Sequence, residues 1–360
     1  MKIGYAFWGF ISDYKIKGNK EISTPDGNAF YSWSIFSALL EAGHEVFRMM
    51  PNRDEDSFNA YGKNAFGAFA KEKRNFVYSN YKNYWPKDLD ILLLEWRFPI
   101  PGRNCDVDMG SKNFQPDLLI QKRLIEKYSN GKTKIIIFDL DYKLTEKDER
   151  EVKPLCVLET SNKPKKLFSP RISVEIPFDF DSIMEFSVDK ANKENAFIYV
   201  GNRYERDNSV EKYLVPLAKK EKINVNLYGN WLESGRDSKE RWPFFNYNTR
   251  IATRFFRGAY KNSGATLLLA KDEYTKRGFM TARILEAIFF GTIPIGVSDF
   301  YNIKKYLPDN LIANDAYDVA EIIKHSIKDY RWRKKIINEL RVNLSFMDCR
   351  NFVKTIEDII

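Results

Sequence analysis

Arg283 and Glu286 stand three residues apart in the stretch 276–296, which reads as a helix, a Gly turn and a buried strand. Residues at that spacing share a helix face. A guanidinium and a carboxylate so placed can serve two parts of one ligand, Arg283 a phosphate and Glu286 a pair of sugar hydroxyls. The ordinary alternative is a surface ion pair on an amphipathic helix. A second group of candidates is Gly201-Asn202-Arg203-Tyr204-Glu205-Arg206, directly after the apolar run 196–200. Gly201 lets backbone approach a ligand closely, N–H groups at a following helix start favour anions, and Arg203 and Arg206 offer charge-assisted bonds to a diphosphate. Gly229 closes the next apolar run in the same way. The bland alternative is a surface loop with two solvated arginines. A dinucleotide-type Gly-x-Gly-x-x-Gly and a P-loop Lys are both absent here.

Asp139 and Asp141 follow the apolar run 134–138. If the strand continues, these carboxylates point the same way. One of them is expected to serve a turn or cap. The other can act as a general base, because a carboxylate is ionised at neutral pH and can take a proton from a hydroxyl. Lys143 follows closely. Two more rims are candidates for sugar or acceptor contact. Asp26 and Asn28 lie in the first connection, and Glu95-Trp96-Arg97 follows the run 91–94. Trp96 could stack on a base or sugar, or simply close the edge of a core.

These residues need a scaffold, and the pattern supplies one. Apolar runs at 2–8, 45–49, 91–94 and 134–138 alternate with helical spacing at 30–42 and 117–128. Gly43 fits the stop of the first helix. A second round places strands at 196–200, 223–228, 265–270 and 293–297, with helices at 209–221, 281–290 and 319–326. Continuous apolar strands separated by helices predict parallel sheets covered on both faces. The expected fold class is α/β, with two Rossmann-like domains facing a cleft. The expected domains are 1–179 and 180–340, with 180–195 as linker and a C-terminal helix within 341–360 returning to the first domain. Ligands of open parallel sheets bind outside the carboxyl ends of strands, where the candidates above fall.

A chain of 360 residues suits two domains. A net charge of +9 favours an anionic partner such as nucleic acid, nucleotide or membrane surface. Three scattered cysteines and two histidines give neither zinc spacing nor a disulfide framework, so no metal site is expected. The chain opens on a strand pattern and has no apolar run of membrane-spanning length. We therefore expect no signal peptide, no membrane association and a cytoplasmic, monomeric protein. Segments 71–87 and 236–261 interleave cations with aromatics. Among them Arg236, Lys239, Arg241, Arg250, Arg254, Arg257 and Lys261 form a candidate DNA-facing rim, while most of the aromatics are expected in the core.

Taken together, these segments resemble the phage DNA glucosyltransferases that modify 5-hydroxymethylcytosine, particularly the inverting beta-type, which have the GT-B architecture. The stretch 134–144 is similar to the strand and loop that carry that family's catalytic Asp. Asp141 falls on its position, with Lys143 where the family has an Arg. The stretch 199–206 resembles the loop that grips the donor diphosphate, 227–230 resembles the strand and turn that follow, and 279–286 resembles the helix start where an Arg binds phosphate and a Glu binds ribose. Asn28 falls where the family places a sugar-contacting Glu, so the resemblance leaves glucose or a pentose such as arabinose as the donor sugar. It implies transfer from a UDP-sugar to 5-hydroxymethylcytosine in double-stranded DNA, with base flipping. Asp141 would be the base, and Arg203, Arg206 and Arg283 would stabilise departing UDP. A divalent cation (Mg or Mn) is compatible but has no dedicated site in the sequence. The implied use is to shield phage DNA from host nucleases within the infected cell. Two competitors remain: a glycosyltransferase with a glycan or lipid acceptor, and a nucleotide- or DNA-binding module without chemistry.

Overall fold

Ile91-Leu92-Leu93-Leu94 has no polar face, and such a run is stable only as a strand covered on both sides. In the computed structural model it becomes β3 (Ile91–Glu95), buried throughout. The structure describes residues 1–7, 28–49, 71–99, 117–185, 187–188, 195–232, 237–248 and 258–360.

Two units divide the chain: Met1–Pro177 with Cys349–Ile360, and Phe178–Asp348. In the first, β1 (Lys2–Ala6), β2 (Glu45–Arg48), β3, β4 (Lys134–Asp139), β5 (Cys156–Glu159) and β6 (Arg171–Ser173) form one sheet in the order β2-β1-β3-β4-β5-β6. Every pairing is parallel. Chain order runs one way from β1 to β2 and the other way from β3 onward, so β1 and β3 flank a topological switch point. The final helix, Cys349–Asp358, packs on the helix Asn28–Glu41. Phe352 reaches Phe138 with ring centroids 5.1 Å apart.

The second unit holds β7 (Asn195–Val200), β8 (Val225–Tyr228), β9 (Asn246–Asn248), β10 (Ser263–Leu267), β11 (Ile293–Val297) and β12 (Ile312–Ala313), in the order β12-β11-β10-β7-β8-β9. These pairings are parallel as well. Its switch point lies between β7 and β10. The helix Arg283–Phe290 is buried at all eight positions and ends at Gly291, whose φ of 76° is the left-handed cap that Gly adopts without strain.

Residues 341–348, which we expected to return to the first domain, stay with the second unit. Arg341 holds them there. Its Nε and Nη2 donate 3.1 Å bonds to the carbonyls of Ile288 and Phe289, at the carboxyl end of that buried helix, where a cation is favoured. The expected linker 180–195 contains the helix Phe180–Glu185, ordered because Phe180 and Ile183 are buried. Among the described residues no helix is long and apolar enough to cross a membrane.

Candidate active site

Arg283 and Glu286 do not form a surface ion pair, because both are buried. Arg283 spans the switch point of the second sheet. Its Nε donates 2.7 Å to Val200 O at the end of β7, and its Nη1 donates 2.8 Å to Leu269 O just beyond β10. The guanidinium lies 4.5 Å from the Tyr199 ring centroid. Two carbonyls thus fix the fork, and its Nη2 lies beside Gly201. A Cβ at Gly201 would run into that nitrogen, and the φ of 156° also requires Gly.

Glu286 accepts a 2.9 Å bond from Tyr260 Oη at its Oε2. Its Oε1 has no hydrogen-bond partner among the described residues. Burial lifts this carboxyl above its ordinary range, while the Arg283 charge and the Tyr260 hydrogen bond pull it back in part. Burial, then the Glu286 charge, pushes the Tyr260 hydroxyl well above its usual value. Tyr260 was expected only as one aromatic of a basic segment. Its pairing with Glu286 spans 26 residues, and no local spacing signals it.

The loops after β7 and β8 are sewn together. Gly201 N donates 2.8 Å to Tyr228 O, Asn230 N donates 2.8 Å to Asn202 Oδ1, and Trp231 Nε1 donates 2.7 Å to Gly201 O. A Cβ at Gly229, where φ is 141°, would strike the carbonyl of Gly201. Gly201, Asn202 and Gly229 therefore build the floor of this edge.

The two loop arginines part company. Arg203 donates 2.9 and 2.7 Å bonds to the two Asp207 oxygens, 2.6 Å to Asp237 Oδ1 and 3.0 Å to Ser238 Oγ. It also stacks 4.6 Å over Trp242. The hydrogen bonds it donates to Asp207 and Asp237 raise its pKa, and Arg203 in turn lowers that of Asp207. The expected diphosphate role of Arg203 is set aside: its fork is consumed by two carboxylates. Arg206 differs. Its Nη1 donates to Asn202 O and Tyr204 O at 3.0 and 2.7 Å. Its buried Nε has no hydrogen-bond partner among the described residues. A buried N–H without a partner is costly.

In the first unit the strand does not continue to Asp141. It ends at Asp139, and the chain turns through Tyr142, whose φ is 57°. Asp139 is the turn residue: its buried carboxylate accepts 3.1 Å bonds from the N–H groups of Lys143 and Leu144. Burial raises its pKa, and those two bonds oppose the rise. Asp141 is half-buried at the loop tip and Lys143 is exposed, with its ammonium 5.9 Å from the Phe98 ring centroid.

Glu95, Trp96 and Arg97 turn inward rather than forming a rim. Glu95 closes the β1/β3 switch point, accepting from Tyr5 Oη at 2.6 Å and Ser32 Oγ at 3.0 Å. Trp96 packs against the core of the sheet. Arg97 is buried against Asp117 at 2.7 Å. Asn28 opens the helix Asn28–Glu41. Asp26, and with it Arg236, Arg250, Arg254 and Arg257 of the expected basic rim, lies outside the described residues. Of the aromatics in that segment, Trp242, Phe245 and Tyr260 are core, as expected.

Two six-stranded parallel sheets of these orders, each with a switch point and flanking helices, define a two-unit α/β fold. Solved glycosyltransferases of the GT-B type share this fold. A T4 phage beta-glucosyltransferase in complex with UDP-glucose is 13% identical and has a TM-score of 0.62, with 99% of each chain covered. The same phage's enzyme in complex with UDP and Mn2+ is 14% identical at a TM-score of 0.62, again covering 99% of each chain. An alpha-glucosyltransferase in complex with UDP-glucose and DNA containing an abasic site is 13% identical, with a TM-score of 0.65 over 99% of this chain and 98% of that one. At these identities the likeness is one of fold. No protein-family model matches the chain, and no curated protein matches it.

Proposed function

We propose that this protein is a glycosyltransferase moving a sugar from a UDP-sugar to 5-hydroxymethylcytosine in double-stranded DNA. The observation that carries the reading is the cradle at the β7/β10 switch point. There Arg283, anchored by the carbonyls of Val200 and Leu269, lies beside the close-approach glycine Gly201, with Glu286 three residues on along the same helix and Arg206 in the loop that Gly201 opens. Anions suit the two arginines, and paired hydroxyls suit the carboxylate. A nucleoside diphosphate offers both. Proteins of this fold were solved with UDP-glucose and with DNA, which supports the same donor and acceptor classes here.

In this reading the second unit takes the donor and the first takes the acceptor, with the target base flipped out of the duplex. Asp141 accepts the proton of the hydroxymethyl group. The freed oxygen attacks the anomeric carbon from the face opposite the diphosphate, the bond to the UDP oxygen breaks, and the configuration inverts. Arg283 and Arg206 stabilise the charge gathered on departing UDP, an electrostatic contribution made by preorganised donors. Asp139 does not share this proton; it holds the turn that carries Asp141. A divalent cation on the diphosphate is compatible with the scheme, and no step uses it. The sugar is glucose or a pentose.

Titration calorimetry with UDP tests the donor half. We expect saturable binding by the wild type and marked weakening in Arg206→Ala and Glu286→Ala. Equal affinity in wild type and both variants would place the nucleotide elsewhere.

A further inference from the structure

We infer that Lys165, in the connection between β5 and β6, is a positioning residue for sugar transfer: it holds the loop that presents Asp141. The inference rests on the general-base reading of Asp141 above and names what sets that carboxylate in place.

The loop needs an external hold. Strand β4 stops at Asp139, and the chain passes Asp141 and turns through Tyr142 at a φ of 57°. A tyrosine lacks the freedom of Gly in the left-handed region, so it stays there only where surrounding contacts over-determine it. Asp139 closes the base of the loop by accepting from the N–H groups of Lys143 and Leu144. Two further bonds reach Tyr142 from the β5–β6 connection. Lys165 Nζ donates to Tyr142 O, and Tyr142 Oη donates 2.7 Å to Thr160 O. The first fixes the main chain of the residue next to Asp141. The second fixes its ring, which is buried.

Lys165 can act as a strut because its own backbone is anchored. The register pairs Asp139 with Glu159, so the connections after β4 and β5 leave the sheet side by side. Glu159 is fully buried, and its Oε1 accepts 3.2 Å from Lys165 N. Arg171 bridges Glu159 and the equally buried Glu149, with its Nη1 2.9 Å from Glu159 Oε2. Ser169 N donates 2.7 Å to Glu149 Oε2. Buried charges are tolerated only when paired and hydrogen-bonded, and here two carboxylates spend acceptor capacity on the backbone of one connection. Pro164 and Lys166 on either side are exposed, whereas Lys165 is half-buried. Its ammonium lies 6.0 Å from the Tyr142 ring centroid, at the edge of cation–π range.

The consequence is geometric. A general base works only within hydrogen-bond reach of the proton it takes. With the Lys165 bond gone, Tyr142 can leave the left-handed region, and the Asp141 carboxylate leaves its station with it.

The test measures single-turnover transfer from UDP-glucose to duplex DNA containing 5-hydroxymethylcytosine, with UDP calorimetry and melts alongside. The variants are Lys165→Met, Lys165→Arg, Asp141→Asn, the Lys165→Met/Asp141→Asn pair and a Lys166→Gln control. A misplacement of about 1 Å costs on the order of a hundred-fold in rate, so Lys165→Met should slow transfer by about that factor with UDP affinity unchanged. Lys165→Arg keeps a donor and should regain much of the rate, and Lys166→Gln should match the wild type. Because Lys165 acts through Asp141, its loss should add nothing in the Asp141→Asn background. If Lys165→Met does not fold, Tyr142→Phe removes the companion bond and carries the same comparison. Wild-type rates in Lys165→Met, with Asp141→Asn inactive, would overturn the positioning role and leave Asp141 as the base. A full additional loss in the double variant would also overturn it, because Lys165 would then act independently of Asp141. Full transfer by Asp141→Asn would remove the general-base reading itself, and the role of Lys165 with it.

Discussion

Tyr260 Oη donates a 2.9 Å hydrogen bond to Glu286 Oε2, and neither side chain is open to solvent on that side. The bond occupies one carboxylate oxygen and fixes the other for a ligand. Tyr260→Phe should weaken donor binding. A hydrogen bond to a charged group contributes about 1.5 kcal/mol, so the donor KM should rise roughly tenfold, with a smaller change in kcat. Steady-state kinetics over donor concentration checks the split, and an unchanged KM would detach Tyr260 from the site.

Acidification should weaken donor binding earlier than an ordinary carboxylate would predict. Burial raises the Glu286 pKa, so the carboxylate that must accept hydroxyls begins to protonate at a higher pH. Stability responds in the opposite sense. A carboxyl with a raised folded-state pKa binds its proton more tightly folded than unfolded, so the folded state holds more protons over that pH range. Its stabilisation is complete below the unfolded value and is lost as pH rises through the folded one. UDP calorimetry and thermal melts over a pH series should therefore move in opposite directions, and Glu286→Gln should flatten both.

Arg203 and Arg206 should separate cleanly. Arg203→Ala releases Asp207 and Asp237 from their shared partner and should lower the Tm by a few degrees while leaving UDP affinity close to wild type. Arg206→Lys keeps a cation but lacks the planar fork, and should weaken UDP binding with little change in Tm. Reversed outcomes would return the diphosphate role to Arg203.

Asp139 and Asp141 should divide structure from chemistry. Asp139→Ala strands the N–H groups of Lys143 and Leu144, at a cost of about 1–3 kcal/mol in stability. Asp141→Asn should leave the melt and UDP affinity unchanged while lowering transfer by about a hundred- to ten-thousand-fold, the usual contribution of a general base. Full transfer by Asp141→Asn would remove that residue from the mechanism.

The strands are readable from sequence where they are apolar on both faces, as at β3 and β4, and so is the placement of Arg283 and Glu286 on one helix, because helix spacing is local. It did not separate Arg203 from Arg206. Both are cations after one glycine, and the partner that helps sequester Arg203, Asp237, comes 34 residues later. Asp139 and Asp141 looked equivalent because nothing local announces that the strand stops at Asp139. Glu95 and Arg97 read as a rim because charges after a strand usually face solvent; here Tyr5, Ser32 and Asp117 from distant segments turn them inward. The short strands β5, β6 and β9 and the Glu149–Arg171–Glu159 cluster are likewise products of tertiary pairing.

The most direct measurement is the mass of nucleosides released from duplex DNA containing 5-hydroxymethylcytosine after incubation with the protein and either UDP-glucose or a UDP-pentose. The account predicts a hexose or pentose increment on that one nucleoside, absent with Asp141→Asn. No increment with any donor, alongside normal UDP binding, would contradict it and point to a glycan or lipid acceptor.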